Sequence, residues 1–259
     1  QIEVGDREIV RVQEKREVWS VFGELTWHLN EQWWLSVGGR FTDETEEQIG
    51  EVSSDFGPSQ DIGGTSKPVS DFRPRVAVHF DVTDNVNLYG VIATAIKPGI
   101  VANDGTVLDD EKFTNYEAGA KGFMLDNRIR FGASIFYTEW DDLQVVTGEF
   151  NPGAGPPILT TRGNAADATA KGIELELDYR PVDPFLIRAA FGYLNAKFGS
   201  FPNAVVAGEI VDLSGQTFAR APKYSASLTA QYDWRFGNNW DGYARVEWNY
   251  RDEFLSSPD

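Results

Sequence analysis

The residues of this sequence that could carry chemistry are few and widely separated. Two histidines, His28 and His79, stand far apart in the chain, and there is no cysteine. Because a metal site needs three or four convergent ligands, neither histidine is expected to bind a metal. Glu174 and Glu176 could suggest a glycosidase pair, but on one strand they would share a face instead of facing each other. The sequence therefore predicts no catalytic residue, no metal ligand and no cofactor.

The other charged segments are also interpreted without a binding role. The acidic stretches 43–51 and 104–111 carry carboxylates that calcium could use, but they lack the spacing of an EF-hand loop, so solvated acidic loops are expected. The segment GAKG at 119–122 lacks the spacing of a phosphate-binding loop, and Lys121 is interpreted as one charge of a polar strand face. The net charge of −17 argues against a nucleic-acid partner.

These charges belong to segments that alternate between polar and apolar residues. The clearest segment lies within residues 113–140, where Ile129, Phe131, Ala133, Ile135 and Tyr137 are separated by mostly polar residues. A period of two is typical of a strand with one apolar face and one polar face. The Asp-Asn pair at 126–127 predicts a tight two-residue hairpin turn before this strand.

The same pattern predicts about ten strands, joined alternately by short turns and long loops. The predicted strands are 17–28, 33–42, 75–82, 86–97, the two halves of 113–140, 169–179, 185–198, 224–234 and 240–254. Short breaks fall near residues 30, 84, 126, 183 and 237, and long loops are expected at 43–70, 98–112, 141–163 and 199–222. Residues 1–16 read as the end of a strand or a loop, and Leu143–Thr147 could continue the strand before them.

This alternation of connections predicts an all-β, antiparallel, up-and-down transmembrane β-barrel. Outer-membrane barrels combine short periplasmic turns with long outer loops, whereas soluble sandwiches have shorter strands and mixed connections. No window approaches 18 unbroken apolar residues, so no membrane helix is expected. A run of about ten residues spans roughly 33 Å, enough for a tilted bilayer crossing.

Tryptophans and charges support the same interpretation. The eight tryptophans fall near predicted strand ends, where aromatic girdles meet lipid headgroups. The strand face that continues the apolar pattern carries almost no charge. The opposite face carries Arg40, Arg75, Glu117, Lys121, Arg130, Glu174, Glu176, Arg188, Arg245 and Glu247. So many charges fit the water-filled interior of a wide barrel.

Four segments in order resemble the barrel region of TonB-dependent outer-membrane receptors. They are NVNLYGVIATAIKPG (85–99), LDDEKFTNYEAGAKGFMLDNRIRFGASIFYTEWDDLQV (108–145), GNAADATAKGIELELDYRPVDPFLIRAAFGYLNAKF (163–198) and LSGQTFARAPKYSASLTAQYDW (213–234). The resemblance covers about residues 17–255. It implies about ten strands of a 22-stranded barrel in the outer membrane of a Gram-negative bacterium, surrounded by lipid.

The resemblance also implies a function in active transport. Such receptors import a scarce ligand, such as an iron complex, cobalamin or a glycan, and a ferric siderophore is the commonest class. Uptake is energised by TonB through an N-terminal plug domain. Residues 1–259 contain no plug or TonB box and end at LSSPD without a terminal aromatic strand. They are therefore expected to be an internal part of the barrel domain.

Two alternative functions remain open at this stage. A passive, porin-like diffusion channel would show the same strands, and only an upstream plug with a TonB box would distinguish the importer. A soluble β-sandwich that binds a ligand is the other alternative, and it would stay in solution without detergent at the mass of a monomer.

Overall fold

The computed structural model describes most of the chain. The backbone is described for residues 8–54, 57–61, 64–65, 68–100, 107–150, 158–206, 208–237 and 239–255. Side chains are described for residues 15–45, 68–100, 107–146, 163–164, 166–206, 208–237 and 239–255.

The described residues form strands and no helix. The fourteen strands are β1 (Glu8–His28), β2 (Trp33–Ser54), β3 (Gly57–Asp61), β4 (Gly64–Thr65), β5 (Val69–Thr83), β6 (Val86–Lys97), β7 (Glu111–Met124), β8 (Ile129–Phe150), β9 (Ile158–Val182), β10 (Phe185–Phe198), β11 (Ala204–Val206), β12 (Glu209–Val211), β13 (Tyr224–Phe236) and β14 (Trp240–Arg251).

All fourteen strands belong to one antiparallel sheet with up-and-down order. The long strands follow the path β1-β2-β5-β6-β7-β8-β9-β10-β13-β14, so each pairs with its neighbours in the chain. The short strands β3 and β4 pair with β2, and β11 pairs with β12 and with β8. The barrel-type topology is confirmed. The sandwich alternative is wrong, because two packed sheets would be needed.

The strand register separates the residues into an apolar face and a polar face. On the apolar face Val76 lies opposite Val37 and Ile92, and the row continues through Tyr116 to Tyr137. All ten charges expected on the opposite face share the polar face. They are Arg40, Arg75, Glu117, Lys121, Arg130, Glu174, Glu176, Arg188, Arg245 and Glu247. The prediction of two chemically distinct faces is confirmed.

Aromatic side chains mark two levels on the apolar face, eight residues apart along a strand. The pairs are Trp19 and Trp27, Trp33 and Phe41, Phe72 and Phe80, Phe185 and Tyr193, Tyr224 and Tyr232, and Trp240 and Trp248. Eight residues cover about 26 Å along a strand, or about 20 Å of vertical height at a tilt of about 40°, somewhat less than the apolar band of about 25 Å in outer-membrane barrels. The expectation that every tryptophan joins these girdles is wrong. Trp34 and Trp140 have the opposite parity and lie on the polar face.

The short turns all lie at one end of the sheet, as predicted, but the central one is longer than expected. Met124 pairs with Ile129, so the turn contains four residues and not two. Three of them have positive φ: Leu125 at 52°, Asp126 at 53° and Asn127 at 64°. Asp and Asn tolerate this left-handed region better than leucine does.

Much of what the sequence suggested to be loop is strand at the opposite, long-loop end. β2 continues to Ser54, β8 to Phe150, and β9 already begins at Ile158, while β1 starts at Glu8. The extension of the strand through 143–147 is confirmed. These ribbons were missed because their sequences lack a regular alternation of apolar and polar residues, whereas backbone hydrogen bonding continues. The segment 199–222 likewise contains the hairpin β11–β12.

Candidate functional site

The polar face of β5 to β10 encloses an open cavity of about 1060 Å³. Charged side chains of both signs line it: Asp81, Glu117, Lys121, Arg130, Glu174, Glu176, Asp178 and Arg188. Alternation brings them together, because every second residue of each strand points the same way. With Asp84 of the β5–β6 turn, six carboxylates and three cations line one open cavity, which describes a hydrated wall and not a dry core.

A cluster around Tyr89 occupies the centre of this wall. The Tyr89 hydroxyl donates a hydrogen bond of 2.6 Å to Glu117 Oε1, and Lys121 Nζ lies 5.5 Å from the centroid of the Tyr89 ring. A Cβ atom on Gly119 would lie 2.7 Å from the Tyr89 hydroxyl and 2.6 Å from the carbonyl oxygen of Ala133. Only glycine leaves room for the tyrosine here. The register, which places Lys121 opposite Asn87 and Gly132, confirms it as a charge of the polar face.

The two histidines lie on either side of Trp34, near the short-turn end of the polar face. His79 stacks on Trp34 with ring centroids 3.5 Å apart and planes within 2°, and His28 lies 6.2 Å from the same tryptophan. The His79 Nδ1 is 3.2 Å from Asn87 Oδ1. No group of three metal-binding side chains occurs among the described residues. This arrangement is therefore a packed aromatic stack.

The strands that the long connections join end at the opposite side of the sheet, where Pro98, Asp109 and Glu111 are fastened to β8. The Gln144 amide donates to the carbonyl oxygens of Pro98 at 3.0 Å and Asp109 at 3.1 Å, and its backbone N–H donates to Glu111 Oε1 at 2.9 Å. Glu111 is 3% exposed and also pairs with Lys97 at 2.6 Å. One glutamine thus connects the loop to the strand.

A second fastening comes from β9. Asn164 accepts a hydrogen bond from the Asp109 backbone N–H at 2.7 Å and donates to the carbonyl oxygens of Asp109 and Asp142 at 2.8 and 2.7 Å. Gly99 makes the close approach possible, since a Cβ there would lie 1.9 Å from the Leu108 carbonyl oxygen. Sequence reasoning missed Gln144 and Asn164, because single polar residues in a polar segment carry no periodic signal.

The segment 199–222 folds back onto β8, β9 and β10 around a small core of its own. Ala166, Phe201, Ala204 and Leu213 are each at most 4% exposed. Leu213 is held by a turn in which the Ser214 N–H donates to Asp212 Oδ1 at 2.8 Å. The hydrogen bonds from Ser214 lower the pKa of the exposed Asp212 carboxyl.

An aromatic ledge, formed by Phe113, Trp140, Phe198 and Phe218, lies where this segment meets the polar face. Phe218 contacts Phe198 at 4.4 Å and Trp140 at 6.0 Å between ring centroids, and Trp140 meets Phe113 edge-on at 5.6 Å. Phe113, Trp140 and Phe198 extend from the polar face, and Phe218 covers them from the loop. The ledge places apolar rings at the long-loop end of a charged wall.

The family model described as TonB dependent receptor-like, beta-barrel matches residues 7–258. The chain belongs to the TonB-dependent receptor family. This family consists of transport receptors and not enzymes. The described part of the chain offers no helical segment that could span a bilayer.

Two receptors of this family share moderate sequence identity with the chain. The siderophore receptor PiuA of Acinetobacter baumannii is 27% identical over 216 residues, covering 78% of this chain and 27% of PiuA. The metal-pseudopaline receptor CntO of Pseudomonas aeruginosa is 24% identical over 211 residues, covering 80% of this chain and 27% of CntO. The chain thus spans about a quarter of the length of these relatives.

A solved structure of an uptake receptor has a fold similar to that of this chain. The ferric yersiniabactin uptake receptor FyuA of Yersinia pestis superposes with a TM-score of 0.75 at 19% identity. The superposition covers 93% of this chain and 35% of FyuA. At this identity the likeness concerns the fold.

Proposed function

We propose that the chain forms part of the wall of an outer-membrane receptor that imports a metal chelate. A ferric siderophore or a similar iron complex is the ligand class that we infer. The observation that carries the proposal is the division of one sheet into an apolar belt with aromatic levels and a wall lined by charges. The belt suits lipid hydrocarbon, and the wall suits a hydrated passage.

The ligand class follows from the relatives and from the chemistry of the loop end. PiuA is named a siderophore receptor, CntO a metal-pseudopaline receptor, and FyuA a ferric yersiniabactin uptake receptor. Chelators of this kind often carry planar or aromatic groups, for which the aromatic ledge offers stacking surfaces. Segment 199–222 contributes Phe218, which covers Trp140 and Phe198 of that ledge.

We infer further that residues 1–259 are a portion of a larger barrel domain whose transport is energised by TonB through a plug domain. The family name and the share of each relative that the chain covers support this inference. Bacterial outer-membrane lipid is the expected surrounding of the apolar face.

The proposal is tested on the full-length protein in outer-membrane vesicles and in cells. Binding of radioactive ferric complexes of hydroxamate, catecholate and phenolate chelators is measured for the wild type, for Trp140→Ala and for a control, Trp248→Ala on the apolar face. We expect one chelate class to bind, the Trp140 variant to bind it at least about tenfold more weakly, and the control to bind it normally. Uptake, but not binding, should stop when the proton-motive force is dissipated.

A different outcome identifies a different transporter. If no chelate binds and planar bilayers show steady ionic conductance, the protein is a diffusion channel and the receptor proposal is wrong. Retained binding in both variants would exclude the aromatic ledge from ligand recognition.

A further inference from the structure

The polar face changes character along its strands. Two rows of residues cross β6 to β10 on the long-loop side of Glu117, and no side chain in either row is ionisable. These rows form a neutral band, which consists of Ala93, Asn115, Thr138, Ala170 and Ala196 in one row and Ala95, Phe113, Trp140, Ala168 and Phe198 in the next. The aromatic ledge therefore belongs to a surface without charge.

One part of the neutral band is covered by the chain itself. On β9 and β10 the segment 199–222 lies over it, because the Phe218 backbone N–H donates to the Ala196 carbonyl oxygen at 3.1 Å. Ala168, at 1% exposure, is closed off there. A ligand can reach the band only from the side of β6 to β8.

The open part of the band, on β6 to β8, offers aromatic surface and uncharged hydrogen-bond donors. Ala95 is exposed, and Phe113, Asn115 and Trp140 are half-buried. The Thr138 hydroxyl donates to Asn115 Oδ1 at 2.8 Å. The N–H groups of the Asn115 amide have no acceptor among the described residues, so they remain available to an oxygen atom of a ligand.

The cations at the edge of the neutral band already have partners. The ion pairs are Arg73 with Asp71 at 3.3 Å, Arg75 with Glu24 at 2.9 Å and Lys97 with Glu111 at 2.6 Å. Arg220, two residues beyond Phe218, also has a partner. Lys223 Nζ lies 5.5 Å from the centroid of the Tyr224 ring, which belongs to the apolar face. The described part of the chain thus holds no free cation against the ledge.

Charges farther from the band do not favour an anion either. Arg40 on β2 and Arg251 on β14 pair with no described carboxylate, but each lies two strands away from the band. Arg40 donates to the Ser20 hydroxyl at 2.6 Å. In the cavity on the short-turn side of the band, six carboxylates stand against three cations.

The long connections concentrate negative charge at the end of the sheet where the ledge lies. Segment 43–70 contains seven acidic residues and one basic residue, and segment 98–112 contains four and one. Segments 141–163 and 199–222 contain three and one, and two and one. Sixteen acidic residues against four basic ones account for most of the net charge of −17. The potential at this end therefore repels anions that approach from solution.

We propose that this wall selects its ligand by charge, and that the metal chelate it binds carries no net negative charge. A trianionic complex, such as iron held by three catecholates, would lose hydration at the neutral band without gaining a cation. A neutral complex, such as iron held by three hydroxamates, meets aromatic rings and the Asn115 amide without that cost. This charge class rests on the proposed import of metal chelates.

The test measures binding of radioactive ferric chelates to the purified full-length protein by equilibrium dialysis. The probes are neutral tris-hydroxamates, cationic tris-hydroxamates that carry an amine, and trianionic tris-catecholates, each class in linear and macrocyclic frameworks. We expect the tightest neutral or cationic probe to bind at least about tenfold more tightly than any trianionic probe at low salt. Added salt should narrow this difference, because it screens the repulsion.

A matched pair of variants isolates the effect of charge from that of size. A95K adds a cation at an exposed position of the neutral band and should improve trianionic binding about fivefold relative to neutral binding. A95Q adds a side chain without charge and should keep the wild-type ratio. An unchanged ratio in A95K would contradict the account.

The possible failures are distinguishable. If a trianionic probe binds the wild type most tightly, charge selection is overturned while the receptor function stands, because a chelate still binds. If no probe of any class binds, the proposed function is wrong and the charge class falls with it.

Discussion

At the scale of single residues, the odd or even position of a residue in its strand determines the face of the sheet on which its side chain lies. Whether a charge lies on the polar face follows from counting along the strand, and this is why Lys121 and Glu174 could be assigned from the sequence. Gln144 could not, because its importance comes from two carbonyl groups of a distant segment. No local pattern records a partner that is remote in the chain.

Gly119 offers a residue-scale test of close packing on the polar face. G119A should destabilise the sheet by about 1–3 kcal/mol, because its Cβ would lie 2.6 Å from the backbone oxygen of Ala133. The measurement is thermal unfolding in detergent. G132A is the control, since its Cβ would meet only Glu176 Cβ at 4.0 Å; equal melting temperatures for the two variants would contradict this account.

Gln144 provides a second test at this scale. Q144A removes the donor to the Pro98 and Asp109 carbonyl oxygens, and we expect a local loss of about 1–3 kcal/mol. Hydrogen exchange should accelerate across residues 98–112, including the Leu108 N–H that is bonded to the Ile100 carbonyl oxygen. Q231A, which removes a single bond to Asp233, should leave exchange in 98–112 unchanged.

At the scale of elements, the strands extend beyond the segments in which apolar and polar residues alternate. A sequence pattern records where apolar and polar residues alternate, whereas β8 and β9 continue pairing to Phe150 and Ile158. Sequence reasoning therefore located the alternating strand segments and the short turns well, but it described the paired ribbons at the long-loop end as loops. Only Leu143–Thr147, where some alternation persists, gave a sign of the extension.

The turn at Asp212 predicts a pH dependence of the folded segment 199–222. Because hydrogen bonds lower the Asp212 pKa, the ionised carboxylate contributes stability above the ordinary aspartate pKa, and this contribution is lost as the pH falls through the lowered value. Exchange of the Leu213 N–H, which donates to the Phe201 carbonyl oxygen, should accelerate in acid. D212N should exchange at a rate independent of pH over that range, once the intrinsic rate is corrected.

At the scale of the whole molecule, two surfaces of opposite character share one sheet. Side chains such as Ile135 on the apolar face are largely exposed, at 59% in this case. A soluble protein would bury such a continuous surface, whereas a bilayer covers it. The family assignment and the arrangement of the faces therefore support the same account of the fold.

A charge introduced on each face in turn should show which face contacts hydrocarbon and which contacts water. I135R places a cation toward hydrocarbon, between the midplane and the aromatic level, and should cost about 1–3 kcal/mol, which reduces assembly into the outer membrane. S134R adds the same charge one residue earlier, on the water-facing polar face, and should assemble normally. The readout is the fraction of heat-modifiable protein in outer-membrane fractions; a stronger defect in S134R would reverse the assignment of the faces.

The eight-residue separation of the aromatic pairs sets the membrane thickness that suits this protein. About 26 Å along a strand tilted by about 40° corresponds to a vertical height of about 20 Å. Hydrophobic mismatch then disfavours thick bilayers, because each further ångström of hydrocarbon must be compressed around the protein. With the apolar face in a bilayer, as proposed, the spacing of its rings favours a thin membrane, such as the bacterial outer membrane, over a thicker one.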